Sequence, residues 1–310
     1  MSSKKFPGGA WPVMLTPFTQ DSKEVDYEGL KALTDWYITN GCSGLFSDCQ
    51  SSEMFFLSKE ERVNIAKTVI ETAKGRVPVI VSGHISDSFE DQVDELQAIA
   101  ALKPDALIFI TNRFAKENES DEVWLENLKK VTDALPKDLP LGLYECPYPY
   151  KRLVSIENLK WCANSGRFFF LKDTCCDLAL LKERAAAVKG TNLKIYNANT
   201  STLRDSILAG CEGFCGVMAS FQMKLYAWLC DHLDDPKAQK VQDLLTITSL
   251  IERQYYPVNA KYYLNKFEGL PITTATRTKD CNGLTETFKE EVRALKALTD
   301  STVEALGIKL

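Results

Sequence analysis

Lys172 closes the apolar run Phe168-Phe169-Phe170-Leu171, and Tyr144 ends another strand-like run 28 residues earlier. An amine at the end of a buried strand is a nucleophile suited to a carbonyl carbon, because Schiff-base chemistry needs a free amine and desolvation favours it. A neighbouring phenol can shuttle protons to a carbinolamine or an aldol oxygen. The interval is close to the ~30 residues of one strand–helix unit, which sets the two strands side by side in a parallel sheet. Plainer roles stand beside these. Lys172 can pair with Asp173 or Asp177 at a rim, and Tyr144 can pack on Pro147-Tyr148-Pro149-Tyr150.

Other polar residues also end apolar runs: Thr16, His84, Thr111, Asn197, Asn199 and Ser220. The turn Cys49-Gln50-Ser51-Ser52-Glu53 offers hydroxyl and backbone donors for a carboxylate, or serves only to cap the next helix. Gly210, Gly213 and Gly216 allow close approach of backbone to a ligand or simply tight packing. Arg113 and Lys116 are the nearest cations for an acidic group, or face water. Metal chemistry is disfavoured. His84 and His232 are the only imidazoles, and none of the ten cysteines forms a CxxC pair, so reduced structural thiols and no metal or organic cofactor are expected.

These residues are positioned by a repeating alternation of short apolar runs and amphipathic stretches. Strands are expected at Ala10–Phe18, Gly44–Asp48, Val77–Gly83, Ala106–Thr111, Leu139–Glu145, Phe168–Asp173, Leu193–Ala198 and Gly213–Ala219. Helical periodicity follows each, ending with Phe221–His232. Eight such units, without a GxGxxG turn after the first strand, predict a closed (β/α)8 barrel rather than an open doubly wound sheet. The catalytic barrel is expected over residues 1–233, and a helical C-terminal subdomain over 234–310, with helices at Ala238–Arg253, Asn259–Phe267 and Thr285–Leu306. In such a barrel the strand C-termini carry the active site, which is where Lys172 and Tyr144 fall.

Composition agrees. The chain has 310 residues, 45% hydrophobic and 25% charged, with a formal charge of −5 and no basic block. That points away from nucleic acid or membrane surfaces as partners. No apolar run approaches the ~18 residues needed to span a bilayer, and no leader is visible, so a cytosolic protein is expected.

Taken together, these motifs resemble the dihydrodipicolinate synthase / N-acetylneuraminate lyase family over nearly the full length. The resemblance rests on Thr16-Pro17-Phe18, Gly44-Leu45 leading to Ser51-Ser52-Glu53, and Tyr144-Glu145-Cys146-Pro147 as the family's Tyr-x-x-Pro. Phe170-Leu171-Lys172-Asp173 matches its Schiff-base strand, and Tyr196-Asn197 and Leu208–Gly213 resemble the lyase branch. It implies an imine between Lys172 and the keto carbon of pyruvate or a longer 2-keto acid, with Tyr144 as acid/base. Ser51 would bind the pyruvyl carboxylate, Cys215 would offer a backbone carbonyl nearby, and the assembly would be a homotetramer.

The departures narrow the chemistry. Gln50 stands where the family has a relay hydroxyl, and Phe114 where a neighbouring subunit contributes an aromatic hydroxyl. Pro149 takes the place of the synthase's arginine, and Thr200 and Ser201 replace the acidic residues that hold a sialic acid's glycerol tail. These changes point away from dihydrodipicolinate synthesis and sialic acid cleavage. They favour aldol cleavage of a 2-keto-3-deoxy sugar acid or 4-hydroxy-2-oxo acid to pyruvate and an aldehyde. The alternatives are a dehydratase using the same imine and a non-catalytic keto-acid-binding barrel.

Overall fold

A computed structural model of the protein describes residues 6–310. Its eight strands are β1 (Gly9–Pro12), β2 (Leu45–Ser47), β3 (Val79–Val81), β4 (Ala106–Ile110), β5 (Leu141–Tyr144), β6 (Phe168–Asp173), β7 (Lys194–Asn197) and β8 (Gly213–Gly216). Each laddered pair is parallel, in the order β1-β8-β7-β6-β5-β4-β3-β2. The ring closes where Val13 bridges Phe46 and the Met14 N–H donates to the Phe46 carbonyl at 3.0 Å. Helices α1 (Tyr27–Thr39), α2 (Lys59–Ala73), α3 (Phe89–Ala100), α4 (Asp121–Asp133), α5 (Ile156–Asn164), α6 (Leu178–Val188), α7 (Leu203–Leu208) and α8 (Ala219–Asp231) follow the strands in turn, completing a (β/α)8 barrel.

The ladders are shorter than the apolar runs that announce them. β1 stops at Pro12; beyond it the chain turns, with the Pro17 carbonyl accepting from the Asp26 N–H and Phe18 bridging Val25. β8 stops at Gly216 because Ala219 already begins α8. Helix starts follow their caps. Ser58 and Glu61 form a reciprocal capping box on α2, and Ser88, Ser120 and Ser155 cap α3, α4 and α5.

Two apolar layers hold the barrel. Inside it, Trp11, Phe46, Ile80, Ile108, Phe170 and Tyr196 fill the space, with Phe170 and Tyr196 stacked at 4.0 Å. Room for Trp11 depends on Gly44, where a Cβ would lie 2.1 Å from the indole. Outside, Leu107, Phe109, Leu143, Phe168 and Leu171 face the helices. This alternation is the two-residue period of a strand, and it decides which polar side chains reach the mouth.

After α8 come α9 (Ala238–Thr248), α10 (Val258–Glu268) and α11 (Glu286–Leu306). The helix expected to run to Arg253 tightens into a 3₁₀ turn over Ser249–Arg253, so the chain redirects before α10. Among the described residues no helix is long and apolar enough to cross a membrane.

Candidate active site

The period of two sorts β5 and β6 into a chemical face and a structural face. Tyr144 and Lys172 are register partners across the two strands, and both point inwards. Lys172 Nζ lies 4.2 Å from the centre of the Tyr144 ring and 5.8 Å from that of Phe46. Lys172 is 5% exposed, and among the described residues no carboxylate lies within ion-pairing distance of its amine. The expected rim pairing is therefore not made: Asp173 turns outwards, and Asp177 caps α6 through the Ala179 N–H at 2.8 Å.

On the outer face, Glu145 and Asp173 meet Arg184 of α6. All three side chains are fully buried; Arg184 reaches Glu145 at 2.7 Å, contacts Asp173 and donates to the Val154 carbonyl at 2.7 Å. Burial opposes the Arg184 charge, but Glu145 and Asp173 outweigh it and raise its pKa. Burial raises the Glu145 pKa against the pull of Arg184. One buried cation thus fixes the residues immediately following Tyr144 and Lys172.

Tyr144 is held protonated: burial pushes its phenol well above its ordinary range, and the neighbouring Cys146, Cys49 and Cys215 add to this. Cys146 also approaches Gln50, with its thiol 3.6 Å from Oε1. Where the family resemblance implies a hydroxyl relay, this chain sets a thiol and an amide beside Tyr144. Cys215 lies beneath the site, fully buried, with its thiol pushed up to about 12 by burial although the nearby Lys172 opposes the shift.

The turn after β2 is ordered by its own hydroxyls. Ser52 Oγ donates to the Met14 carbonyl at 2.7 Å and accepts from the Cys49 N–H, and Thr16 holds the Ser52 carbonyl at 2.8 Å. Ser51, left unconsumed, lines the cavity beside Gln50. The turn does not cap α2, a task that falls to Ser58.

The cavity at the strand ends measures ≈ 530 Å³ and brings together Gln50, Ser51, Tyr144 and Lys172 with Thr174, Asn199, Gly216 and Val217. Its outer wall is aromatic and cationic, with Phe55 against Tyr148 at 4.8 Å and Lys151, Arg253 and Lys279 around the mouth. Glu252 and Tyr256, from the segment between α9 and α10, complete it. Burial raises the Glu252 carboxyl, and the nearby Arg253 and Lys172 oppose the shift. Sequence periodicity around the barrel carries no sign of these C-terminal contributors, because they belong to no strand end.

Several expected candidates lie elsewhere. Phe114 is buried in the core of the chain, with ring centres 5.5 Å from Phe109 and 5.7 Å from Trp124, so no exposed ring is offered there for a contact with a neighbouring subunit. Arg113 pairs with Asp87 at 2.8 Å, and Asn197 is consumed by Thr202 and Ser206. Ser220 bonds Tyr37 at 2.8 Å, and Thr111 donates to the Arg152 carbonyl at 2.7 Å. His84 accepts the Ile110 N–H and faces Gln92, and burial lowers its pKa to about 3. Among the described residues no group of three or more His, Cys, Asp or Glu is placed to hold a metal.

Similarity to known proteins agrees with this geometry. The sequence matches the dihydrodipicolinate synthetase family over residues 7–297. It is 26% identical over 262 residues to a 4-hydroxy-tetrahydrodipicolinate synthase of Legionella pneumophila, covering 83% of this chain and 88% of the relative. The fold is shared with dihydrodipicolinate synthase from Acinetobacter baumannii in complex with pyruvate (TM-score 0.82, 22% identity, 97% of this chain and 99% of the other). It is also shared with YagE, an Escherichia coli K12 prophage protein of the dihydrodipicolinic acid synthase family, in complex with pyruvate (TM-score 0.81, 22% identity, 97% and 99%). The protein therefore belongs to the dihydrodipicolinate synthetase family, whose members are lyases of the synthase and aldolase type.

Proposed function

We propose that the protein cleaves a 2-keto-3-deoxy sugar acid or 4-hydroxy-2-oxo acid to pyruvate and an aldehyde through a Schiff base on Lys172. The observation that carries this reading is the register pairing of Tyr144 with Lys172, which sets an unpaired, buried amine 4.2 Å from a protonated phenol ring. The amine attacks the keto carbon, and water leaves as the iminium forms. The iminium accepts the electron pair of the breaking C3–C4 bond while Tyr144, left as the phenolate after giving its proton to the departing carbinolamine hydroxyl, takes the proton of the C4 hydroxyl. The resulting enamine is protonated at C3, and hydrolysis releases pyruvate and frees the lysine. Ser51 binds the carboxylate, the Cys215 backbone carbonyl takes the neighbouring role that the family resemblance implies, and Gln50 borders Tyr144 through Cys146.

A dehydratase acting on the same imine is the second reading, favoured by Glu252: a carboxyl whose pKa is raised inside the cavity is suited to protonating a departing hydroxyl. The two readings part on product, pyruvate plus aldehyde against a dehydrated keto acid. We also expect a homotetramer in the cytoplasm, a state that light scattering reads directly.

The test of the imine is borohydride reduction in the presence of pyruvate, followed by peptide mass spectrometry. A reduced pyruvyl adduct on Lys172, absent from Lys172→Ala, is the expected result. Absence of an adduct from every lysine of the wild-type protein would sink the proposal.

A further inference from the structure

Tyr256 enters the cavity from outside the barrel, and its hydroxyl is the polar group there with least to do. The Oη atom is buried from solvent and, among the described residues, has no partner at full hydrogen-bonding distance, Ser51 approaching it as the nearest weak one. A donor withdrawn from water without a partner is costly, and such a group in a cavity points to a ligand that completes it. The polar side chain acting on it from nearby is Ser51, which lowers its pKa against a larger upward push from burial. The phenol therefore stays protonated and can donate. Tyr37, Cys49 and Glu252 also bear on it electrostatically, each favouring the neutral form.

The surrounding hydroxyls narrow what that ligand atom is. Ser52 is spent on the Met14 carbonyl and the Cys49 N–H, and Gln50 presents its carbonyl oxygen to the Cys146 thiol. Ser51 and Tyr256 are hydroxyl donors that line the cavity with the amine, and the Gln50 amide N–H2 is a further donor there. In a 2-keto acid the carboxylate is one bond from the carbon that Lys172 attacks, so it must come to rest beside the amine.

We infer that Tyr256 and Ser51 together form the carboxylate cradle of this enzyme, with Tyr256 Oη donating to one carboxylate oxygen. The assignment rests on the Schiff-base reading of Lys172. It makes Tyr256 a determinant of 2-keto acids over simple ketones, contributed by the C-terminal segment rather than a barrel strand.

Tyr256→Phe tests it, since the variant keeps the ring and removes only the donor. Borohydride trapping is followed by intact-protein mass spectrometry against rising pyruvate, and in parallel against hydroxyacetone, a ketone without a carboxylate. The half-saturating pyruvate concentration should rise about ten- to a hundred-fold, as expected for losing a hydrogen bond to a charged group. The limiting trapping rate and the hydroxyacetone response should not change. Ser51→Ala should show the same carboxylate-selective loss, which guards against a folding defect in the first variant. An unchanged half-saturation for pyruvate overturns the assignment, as does an equal loss for hydroxyacetone or a fall in limiting rate alone. If the wild-type protein traps neither ketone, the Schiff-base reading itself has failed and the cradle falls with it.

Discussion

Replacing Arg184 with methionine separates the scaffold of the site from its chemistry. Arg184, Glu145 and Asp173 have no exposed side-chain surface, and the guanidinium also satisfies the Val154 carbonyl at 2.7 Å. Removing one partner of a buried ion pair costs about 3–5 kcal/mol, because the remaining charge is left without compensation. Here two carboxylates are stranded, so the upper half of that range is expected at pH 7.5. In a chain this long that corresponds to a fall in Tm of roughly 8–10 °C, taking about 2 °C per kcal/mol. The penalty should depend on pH, and its sign follows from linkage. Burial already raises the Glu145 pKa, and Arg184 is the group that opposes the rise. Without it the folded state binds protons more readily than the unfolded state, so the variant regains stability as the pH falls. Urea denaturation followed by circular dichroism at pH 7.5 and pH 5 should show a deficit that shrinks at the lower value. Glu145→Gln with Asp173→Asn in the same background should recover part of the loss at pH 7.5. A deficit below about 1 kcal/mol, the level of an exposed surface pair, or one that ignores pH would refute the account of a buried cation holding two carboxylates.

Tyr144→Phe should lower kcat for retro-aldol cleavage about 10²- to 10⁴-fold, the usual contribution of a general acid/base. The pyruvyl adduct on Lys172 should still form, so a variant that keeps full turnover would remove Tyr144 from the mechanism. Asp48→Asn should stabilise the protein at alkaline pH. Among the described residues neither Asp48 carboxyl oxygen has a partner at full hydrogen-bonding distance, and burial raises the pKa well above its ordinary value although Arg62 and Ser47 oppose the rise. A raised carboxyl pKa gives the folded state more bound protons, so this residue costs stability that grows as pH rises above the unfolded value. The advantage of the asparagine variant in Tm should accordingly be larger at pH 8 than at pH 5; an advantage that does not change with pH would refute the explanation.

The barrel was legible because buried parallel strands write themselves as short apolar runs, and because a lysine ending Phe168–Leu171 is conspicuous. The 28-residue spacing placed Tyr144 on the adjacent strand, and the register then sets it directly opposite Lys172. Strand ends were less readable. Thr16-Pro17-Phe18 continues the apolar character of β1, yet it has left the ladder to pin the turn after β2 and to bridge Val25. Polar residues at strand ends also proved a mixed signal, since His84, Thr111, Asn197 and Ser220 close backbone and side-chain hydrogen bonds within the fold. Arg184 and Tyr256 had no local mark at all. A cation on a helix reads as solvated surface until two carboxylates from neighbouring strands are known to face it. A tyrosine in a turn between helices reads as packing until the cavity below it is seen.

The C-terminal segment does more than close over that cavity. Glu53, which ends the Gln50–Ser51–Ser52 turn, has φ +61°, a left-handed conformation that disfavours a residue with a Cβ. Such a conformation persists only where its surroundings fix it. They do so here through its carboxylate, which receives Lys261 of α10 at 2.9 Å and the backbone N–H groups of Arg277 and Thr278 at 2.7 and 3.1 Å. Lys261 also donates to the Ala275 carbonyl at 2.7 Å, and the Lys261–Glu53 pair is essentially without solvent exposure. Losing either member would leave a buried charge at a cost of about 3–5 kcal/mol. The turn that presents Ser51 to Lys172 is therefore clamped from α10 and the loop beyond it, while Tyr256 arrives at the same spot from the turn before α10. Strand ends supply the amine and the acid/base of the proposed mechanism; the geometry of the carboxylate end depends on residues far beyond the eighth strand.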